Sequence, residues 1–373
     1  MKKYPRCTLE RSENREMNRR FKAATIAICV LVSPVHAQTV RCWGYSDEGL
    51  CSPPQDLPAV DQLASKMWHA AVVLPNGSVR CWGHNYWGQC NVPTELGPVL
   101  TVAAGAQHTM AISADRSVRC WGRNEWGQCN VPAALGPVTQ VAAGGSHSMA
   151  LDASGSVQCW GYNEDGQCNV PSDLGSTRSI AAGIVHSAAI RTDGSVRCWG
   201  ANNLGQSTPP ADMASASKIA CGFHFTLAIC TDGSVRAWGE NNRGQCIVPP
   251  EIGATVDVAA GSEHAIALLP NGSVKCWGGN QFGQGAVPPN LTEGGRITSI
   301  AAGWYSSLAV HVPWTPCSGD LFTDRQVNGA DLGILLSQWG PASFTTVSDI
   351  NRDGVVNGAD LGLLLANWGP CPN

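Results

Sequence analysis

Short apolar segments recur along most of the chain and are separated by turn-forming residues. In one representative unit, residues 99–104, 109–113 and 118–122 are apolar segments without a helical period. Residues 114–117, which several other units replace with Asp-Gly-Ser, are typical of a hairpin turn. Three or four short strands in each interval predict an all-β fold, with one β-propeller blade per interval.

Two sequence elements repeat with a fixed period. A Trp-Gly dipeptide ends the third apolar segment of each unit at intervals of 39 residues, at Trp43, Trp82, Trp121, Trp160, Trp199, Trp238 and Trp277. An Ala-Ala-Gly element or a variant of it ends at Gly105, Gly144, Gly183, Gly222, Gly261 and Gly303, whereas the first copy reads Ala64-Ser65-Lys66. Because the units have no polar capping repeats, a closed seven-bladed ring is favoured over an open solenoid.

The two ends of the repeat region predict how the ring closes. The region starts at Val40 with the element that is third in the other units, and it stops near Val312 after the second element. We therefore predict that residues 40–44 pair with the strands of residues 297–310 and complete one blade. Such pairing leaves no open sheet edge at the junction. The predicted seven-bladed β-propeller covers residues 38–312.

The N-terminal segment has the composition of a secretory signal peptide. Residues 18–22 carry three basic side chains, residues 23–32 are apolar, and residues 33–37 end in a Val-x-Ala motif. This pattern predicts a signal at residues 1–37 that starts at Met17 and is cleaved after Ala37, with an uncleaved anchor as the alternative. The apolar run is too short to span a bilayer. We expect a secreted protein, extracellular or at the cell surface, without a membrane span.

Charge argues against a nucleic-acid partner. The chain has 24 basic and 28 acidic residues, for a net charge of −4, and only 14% of its residues are charged. Removal of the predicted signal would leave 16 basic and 25 acidic residues, for a net charge of −9. An acidic exported chain lacks the basic surface that binds phosphate backbones.

Cysteine occupies two positions in most units, one before Trp-Gly and one after Gly-Gln. An exported chain with 17 cysteines is expected to contain disulfides. We favour bonds between successive units, because Ser207 and Ala237 would then mark the loss of one whole bond. The favoured pairs are Cys51–Cys81, Cys90–Cys120, Cys129–Cys159, Cys168–Cys198 and Cys246–Cys276, with Cys42 left over. The alternatives are pairing nine residues apart within a unit, or free thiols.

The C-terminal segment contains the strongest candidate metal site. Residues 349–360 fit the twelve-residue loop of an EF-hand, and Gly354 allows the sharp turn at the sixth position. The candidate ligands are Asp349, Asn351, Asp353, Val355, Asn357 and Asp360. Oxygen ligands on a flexible loop favour Ca²⁺ over Mg²⁺. The alternative is an acidic loop that is merely solvated.

A degenerate copy of this loop lies 29 residues upstream. Its candidate ligands are Asp320, Asp324, Asn328 and Asp331. We expect weak or no Ca²⁺ binding there, because Phe322 has no ligating side chain and Arg325 replaces the glycine.

Two such loops, each followed by a short apolar helix, resemble a dockerin module. The resemblance implies a small α-helical EF-hand domain at residues 319–373, after a linker at residues 313–318. It also implies Ca²⁺-dependent folding and docking to a cohesin-type partner. Cys317 and Cys371 bracket the module and are expected to pair, whereas Cys221 and Cys230 have no assigned role.

The repeat motifs resemble those of a known propeller family. The patterns W-G-x-N-x-x-G-Q, A-A-G-x-x-H and D-G-S-V resemble the repeats of the regulator of chromosome condensation family, which form seven-bladed propellers. The pattern G-Q-x-x-V-P, as in residues 88–93, is similar to secreted propellers that inhibit β-lactamases. The resemblance covers residues 40–312 and speaks to the fold, because propellers support many functions.

Within residues 40–312, the aromatic residues other than the seven repeated tryptophans fall in two loop classes, which strand parity places on one face of the propeller. The candidate binding face consists of Tyr45, Trp68, Tyr86, Trp87, Trp126, Tyr162, Phe223, Phe282, Trp304 and Tyr305. Clustered aromatic anchors are typical of a recognition surface. By resemblance to the inhibitory propellers, Trp68, Phe223, Trp304 and Tyr305 are the expected contacts. The alternative is that the loop aromatics only plug the ends of the channel.

The chain lacks recognisable catalytic motifs, and its recurring histidines, His69 among them, are expected to be structural rather than metal ligands. We predict a non-catalytic binding or scaffold protein. Its propeller face would bind a protein or a glycan, and its tail would dock to a partner with Ca²⁺. The alternatives are an enzyme inhibitor of the β-lactamase-inhibitor type and, with less support, an enzyme that acts on polysaccharide.

Overall fold

A computed structural model describes residues 38–46, 48–293, 295–313, 319–321, 326–341, 348–350 and 355–371. All of them belong to the unit His36–Asn373. The predicted signal peptide lies outside the described residues and stays a prediction. Among the described helices, none combines the length and the apolar character that a membrane crossing requires.

Residues 39–313 form seven antiparallel sheets of three strands each. The strands in chain order are β1 Thr39–Gly44; β2 Gln62–Lys66, β3 His69–Val73 and β4 Val79–Gly83 (blade 1); β5 Val99–Ala104, β6 His108–Ser113 and β7 Val118–Gly122 (blade 2); β8 Val138–Ala143, β9 His147–Asp152 and β10 Val157–Gly161 (blade 3); β11 Thr177–Ala182, β12 His186–Arg191 and β13 Val196–Gly200 (blade 4); β14 Ala216–Cys221, β15 Phe225–Cys230 and β16 Val235–Gly239 (blade 5); β17 Asp257–Ala260, β18 His264–Leu268 and β19 Val274–Gly278 (blade 6); and β20 Gly295–Ala302 and β21 Ser306–Pro313 (blade 7, with β1). A short 3-10 helix, Pro250–Ile252, precedes β17.

The ring closes as the sequence predicts. Strand β1 pairs antiparallel with β21, with Val40 opposite Val310 and Trp43 opposite Ser307. The first strand of each blade contacts the first strand of the next, and β2 of blade 1 contacts β20 of blade 7. These contacts confirm the all-β propeller and the predicted junction.

The apolar core lies between neighbouring blades. The middle strand β6 is buried along its whole length, whereas the outer strand β7 alternates, with Val118 and Trp121 buried and Arg119 exposed. Trp121 packs with Val73 and Val99 across the interface between blades 1 and 2. Such alternation is what a strand with one packed face requires.

The Trp-Gly element links each blade to the loop of the preceding blade. In all seven blades the indole Nε1 of the tryptophan donates a hydrogen bond of 2.8–3.0 Å to a backbone carbonyl of that loop. Trp121, for example, donates to the carbonyl of Gln89 at 3.0 Å. A buried indole N–H needs a partner, so the repeated tryptophan both fills the interface and fixes the loop.

The preferred disulfide scheme is wrong. Cys51 is bonded to Cys42, nine residues before it, and not to Cys81. The Sγ atoms of the next three within-unit pairs also face each other, at 2.9 Å for Cys81–Cys90, 2.6 Å for Cys120–Cys129 and 3.0 Å for Cys159–Cys168. The favoured partners across blades are therefore replaced by the within-unit alternative.

The loop after each outer strand explains the correction. In this loop, Asn85 Oδ1 accepts the N–H of Cys90 at 2.8 Å, which turns the chain back toward the strand that carries Cys81. The same contact joins Asn124 to Cys129. Cys198, Cys246 and Cys276 remain as thiols, because the positions nine residues away hold Ser207, Ala237 and Gly285.

The C-terminal segment is built from two copies offset by 29 residues. Its elements are β22 Gln326–Val327, α1 Gly329–Ser337, β23 Gly340–Pro341, β24 Val355–Val356, α2 Gly358–Ala366 and β25 Gly369–Pro370. Each copy pairs with the other, β22 with β25 and β23 with β24. Val327, Leu335, Val356 and Leu364 form the shared core. The two predicted helices are thus present, but each has only nine residues.

Candidate functional site

The turns and loops that carry the candidate aromatic residues lie at the same end of each blade. The turn between the first two strands and the loop after the third are joined by backbone hydrogen bonds, from Tyr45 N to the carbonyl of Tyr305 and from His84 N to that of Trp68, both 2.9 Å. The parity argument therefore placed both loop classes on one face correctly.

Six of the ten candidate residues form one continuous set, here called the aromatic cluster: Tyr45, Trp68, Phe223, Phe282, Trp304 and Tyr305. Ring centroids are 4.7 Å apart for Trp68 and Trp304, 5.8 Å for Phe223 and Trp304, and 4.7 Å for Phe282 and Tyr305. Tyr45 lies 5.2 Å from Phe282 and 5.7 Å from Trp68. Only Phe282 is largely exposed, so neighbouring rings hold one another in place.

The other four candidate residues do not join the aromatic cluster. Trp126 and Tyr162 contact each other at 4.9 Å, and Tyr86 contacts Trp87 at 5.0 Å. The guanidinium of Arg123 lies 4.5 Å above the Trp87 ring. Tyr86 is 80% exposed and therefore packs against its neighbours less than the other candidate side chains do.

Acidic side chains surround the aromatic residues. Glu164 accepts a 2.7 Å hydrogen bond from the Tyr162 hydroxyl, and this bond raises the pKa of that phenol. Glu263 accepts a hydrogen bond from Gln281 at 2.8 Å and pairs with Arg243 at 3.4 Å. The face thus combines flat apolar rings with negative charge.

The asparagine side chains beside the aromatic residues form hydrogen bonds within their own loops. Asn85 Nδ2 donates to Asn91 Oδ1 at 2.8 Å, and Asn85 Oδ1 accepts the N–H of Cys90. Asn124 and Asn163 make the same pairs of bonds. Since both ends of each amide are engaged, these side chains are poor candidates for sugar recognition.

The recurring histidines are buried links between blades, as expected from the sequence. His108 Nε2 lies 3.0 Å from the hydroxyl of Ser148 in the next blade, and that hydroxyl donates to the carbonyl of Gln128 at 2.8 Å. Burial lowers the pKa of His108 to about 4. Phe225 replaces the histidine in blade 5 and is fully buried. Within the described segments no three His, Cys, Asp or Glu side chains are grouped to hold a metal.

Lys66 is the residue that the sequence-based list of candidates missed. It replaces the glycine of the Ala-Ala-Gly element, and its Nζ donates to the carbonyls of Ala182 and Cys221 on the first strands of blades 4 and 5. Burial lowers the pKa of this amine to about 8. The loss of a repeated glycine was the available signal, because a side chain there enters the channel.

Four of the six predicted Ca²⁺ ligands, Asp349, Val355, Asn357 and Asp360, belong to the described residues. Asp360 is buried, and its carboxylate accepts the N–H of Ile350 at 2.7 Å and that of Asn357 at 3.0 Å. Asn351 and Asp353 lie outside the described residues. So do Asp324 of the degenerate copy and Cys317, the predicted partner of Cys371. Cys371 is disulfide-bonded.

The degenerate copy uses the same local design. Asn328 caps α1 and accepts the N–H of Ala330 at 2.8 Å, while Asp331 accepts that of Asn328 at 2.9 Å. Exposed apolar side chains occupy equivalent positions in the two copies: Leu336 and Leu365 on the helices, and Trp339 and Trp368 just after them.

The comparison with known proteins agrees with this geometry. The family described as "Regulator of chromosome condensation (RCC1) repeat" matches five segments, residues 99–128, 138–167, 178–206, 216–245 and 255–284. These are the units of blades 2 to 6. No curated protein matches the chain in sequence.

Solved structures share the fold at low sequence identity. Prp20p from Saccharomyces cerevisiae is 19% identical with a TM-score of 0.65, covering 76% of this chain and 93% of its own. Human WBSCR16 is 19% identical with a TM-score of 0.63, covering 75% and 100%. The ectodomain of the Arabidopsis thaliana receptor kinase ACR4 is 23% identical with a TM-score of 0.54, covering 66% and 89%. The chain therefore has an RCC1-like β-propeller with five RCC1 repeats.

Proposed function

We propose that this protein is a secreted, non-catalytic binding protein whose aromatic cluster is the contact surface for a partner protein. The observation that carries the proposal is the concentration of six aromatic rings on one face, around the mouth of the channel. Aromatic side chains offer large contact areas at low conformational-entropy cost, and they dominate the energetics of many interfaces.

The relatives by fold support protein binding in general terms. Prp20p is described by its binding to Gsp1p and histones. RCC1-like propellers are mostly binding or exchange-factor proteins rather than catalysts. A glycan partner is less well supported, because the asparagines beside the aromatics bond within their own loops.

Alanine substitution in the aromatic cluster tests the proposal. We expect Trp68→Ala and Trp304→Ala each to weaken capture of the native partner more than tenfold, since central aromatic anchors contribute about 2 kcal/mol or more. The measurement is affinity capture from culture medium followed by binding isotherms with the captured protein. Tyr86→Ala, an exposed residue outside the cluster, is the matched control and should change affinity less than twofold.

Capture that is unchanged in both tryptophan variants would remove the aromatic cluster as the binding surface. A β-lactamase belongs among the purified proteins tested in the same experiment, because the G-Q-x-x-V-P motif resembles that of inhibitory propellers. Inhibition lost with Trp304→Ala would assign the alternative function.

We propose further that the C-terminal segment binds one Ca²⁺ ion and docks to a second partner. Asp349, Asn351, Asp353, Val355, Asn357 and Asp360 would hold the ion, and bound Ca²⁺ would neutralise the carboxylates of the loop. The exposed pairs Leu336–Trp339 and Leu365–Trp368 support a docking role, because exposed apolar groups of this kind mark interaction sites.

Calorimetry on paired variants tests the metal site. We expect Asp360→Ala to abolish Ca²⁺ binding. Asp331→Ala removes the equivalent capping residue of the degenerate copy and should leave the main site intact, which separates loss of a ligand from loss of a helix cap. Equal Ca²⁺ binding by the wild-type protein and Asp360→Ala would refute the assignment.

A further inference from the structure

Lys66 is a cation inside the propeller channel. The other copies of its sequence element end in glycine, and at Gly105 an added Cβ would meet His108 Cε1 at 2.5 Å and the carbonyl oxygen of Gly144 at 2.8 Å. Blade 1 has a lysine at this position, and Met67, which follows it, has a φ of 50°. The Lys66 side chain crosses to blades 4 and 5.

Among the described residues Lys66 has no carboxylate partner, and the nearby Cys221 thiol stays neutral at pH 7 because burial raises its pKa to about 12. In the part of the chain that the structure describes, its Nζ bonds to two backbone carbonyls, of Ala182 and Cys221, and to no carboxylate. An ammonium group has three donors, so one remains for a further acceptor. A desolvated charge without a partner of opposite sign is unfavourable, and an anion at this position would offset that penalty.

A narrow cleft leads from Lys66 to the aromatic cluster. Its enclosed part is about 10 Å³, which is room for roughly one water molecule, and the rest is open to solvent. Lys66, Met67, Ser262, Phe223 and Trp304 are among its lining residues. Phe223 and Trp304 belong to the aromatic cluster, with ring centroids 5.8 Å apart. The cleft therefore joins a positive charge at the inner end to flat apolar surfaces at the outer end.

We propose that this cleft binds a carboxylate group at Lys66, with the apolar group attached to the carboxylate lying on Phe223 and Trp304. The enclosed part has room for one carboxylate oxygen in the position of a water molecule, and the apolar body would lie in the open mouth against the two rings. The carboxylate comes either from a small organic acid or from an acidic side chain or C-terminus of a partner protein. The second source rests on the function proposed above.

The first test uses the unmodified protein. Isothermal calorimetry at pH 7 compares 3-phenylpropionate with 3-phenylpropanamide, which has the same shape and no charge. We expect the acid to bind at least tenfold more tightly, and its affinity to fall as the pH rises above about 8 and Lys66 loses its proton. Equal affinities for the acid and the amide would overturn the proposal.

The second test assigns the charge to Lys66. Lys66→Met keeps most of the aliphatic stem and removes the ammonium, so we expect it to bind acid and amide equally. Lys275→Met, at an exposed lysine of β19, should keep the preference for the acid. A preference that persists in Lys66→Met would exclude this lysine.

Chemical footprinting makes the result independent of how that variant folds. The unmodified protein is acetylated with and without 3-phenylpropionate, and each lysine is quantified by mass spectrometry. We expect the acid to slow acetylation of Lys66 at least threefold and to leave Lys275 unchanged. Equal rates at Lys66 in both conditions would count against the site.

Competition distinguishes the two sources. If a partner protein supplies the carboxylate, 3-phenylpropionate should displace the captured partner, and Lys66→Met should weaken its capture. If the protein prefers the acid in calorimetry but the captured partner is not displaced, a small organic acid is the ligand. If no protein is captured at all, the preference for the acid still tests the cleft, so failure of the proposed function is seen separately.

Discussion

The two sides of the ring differ in how closely they keep the repeat: blade 6 keeps Gly261 and His264, whereas blades 1, 5 and 7 each change one of these two positions. Blades 2 to 4 each keep the glycine and histidine of the repeat, as in Gly105 and His108, and none of the aromatic cluster lies on them. Blade 1 has Lys66 for the glycine, and blades 5 and 7 have Phe225 and Ser306 for the histidine. The departures and the aromatic cluster lie on the same side of the ring.

This difference indicates that one set of residues in each unit stabilises the fold and another set, in the turns, is free to vary for binding. Inter-blade links such as His108–Ser148 and Trp121–Gln89 make a blade stable without regard to a ligand. The less regular side keeps the tryptophan link and changes the turn residues, which face the channel mouth. Experiments that disturb the shared links should therefore affect stability, whereas those at the turns should affect binding.

Acid is expected to produce the largest loss of stability. Burial lowers the pKa of His69, His147 and His186 to about 3 and that of His108 and His264 to about 4. In the unfolded chain these groups titrate near 6.5. The unfolded state thus binds more protons below that pH, and stability falls by up to about 1.4 kcal/mol per pH unit for each histidine.

Urea unfolding at pH 7.5, 6 and 5 measures this dependence. Stability should be full above about pH 6.5 and should decline as the pH falls toward 4. His186→Phe copies the arrangement of Phe225 and should reduce the proton uptake on unfolding by about one. A stability that does not change between pH 7.5 and pH 5 would contradict the structural role of the histidines.

Removal of a repeated tryptophan is expected to cause the second-largest loss of stability. Trp160→Ala deletes the packing between blades and the 2.9 Å bond to the carbonyl of Gln128, at a cost of about 3–5 kcal/mol. Trp126→Ala, at a loop residue that is 48% exposed, should cost less than about 0.5 kcal/mol. Comparable losses in both variants would show that the loop aromatics also support the fold.

The smallest effect is expected at the cysteines. Cys51→Ser opens the bond to Cys42 and should cost about 2–3 kcal/mol. Cys246→Ser changes a thiol whose partner position holds Ala237, and should cost less than about 1 kcal/mol. Denaturant unfolding measures both, and peptide mapping should find cystines nine residues apart. A cystine that joins Cys51 to Cys81 would restore the rejected scheme.

The fold was predictable because its signals are local and repeated. The spacing of Trp43 and its six counterparts fixes the unit, and the incomplete ends at Val40 and Val312 reveal the closure through β1 and β21. The shared face of the two loop classes followed from strand parity alone. None of these inferences needed a distance between side chains.

The errors concern contacts that depend on how loops turn. The joint absence of cysteine at 207 and 237 suggested one lost bond between blades. The loop held by Asn85 instead brings Cys90 back to Cys81 on the strand that precedes the loop. The sequence analysis assigned ten aromatic residues to one surface, although only six contact one another. The repeat period places a residue within its blade but does not give the distance between side chains of different blades. Lys66 was visible as an exception, but its reach to Ala182 required the closed ring.

The pairing of β1 with β21 has a consequence for synthesis of the chain. Strand β1 is made first, and its partner Ser306–Pro313 is the last strand of the propeller to be made. Until that strand emerges, Val40 and Trp43 have no sheet to join and stay available to chaperones or to other nascent chains. The ring can therefore close only when the whole propeller has been made. A chain that ends before residue 306 would leave the apolar side chains of β1 exposed, because no other strand can pair with it.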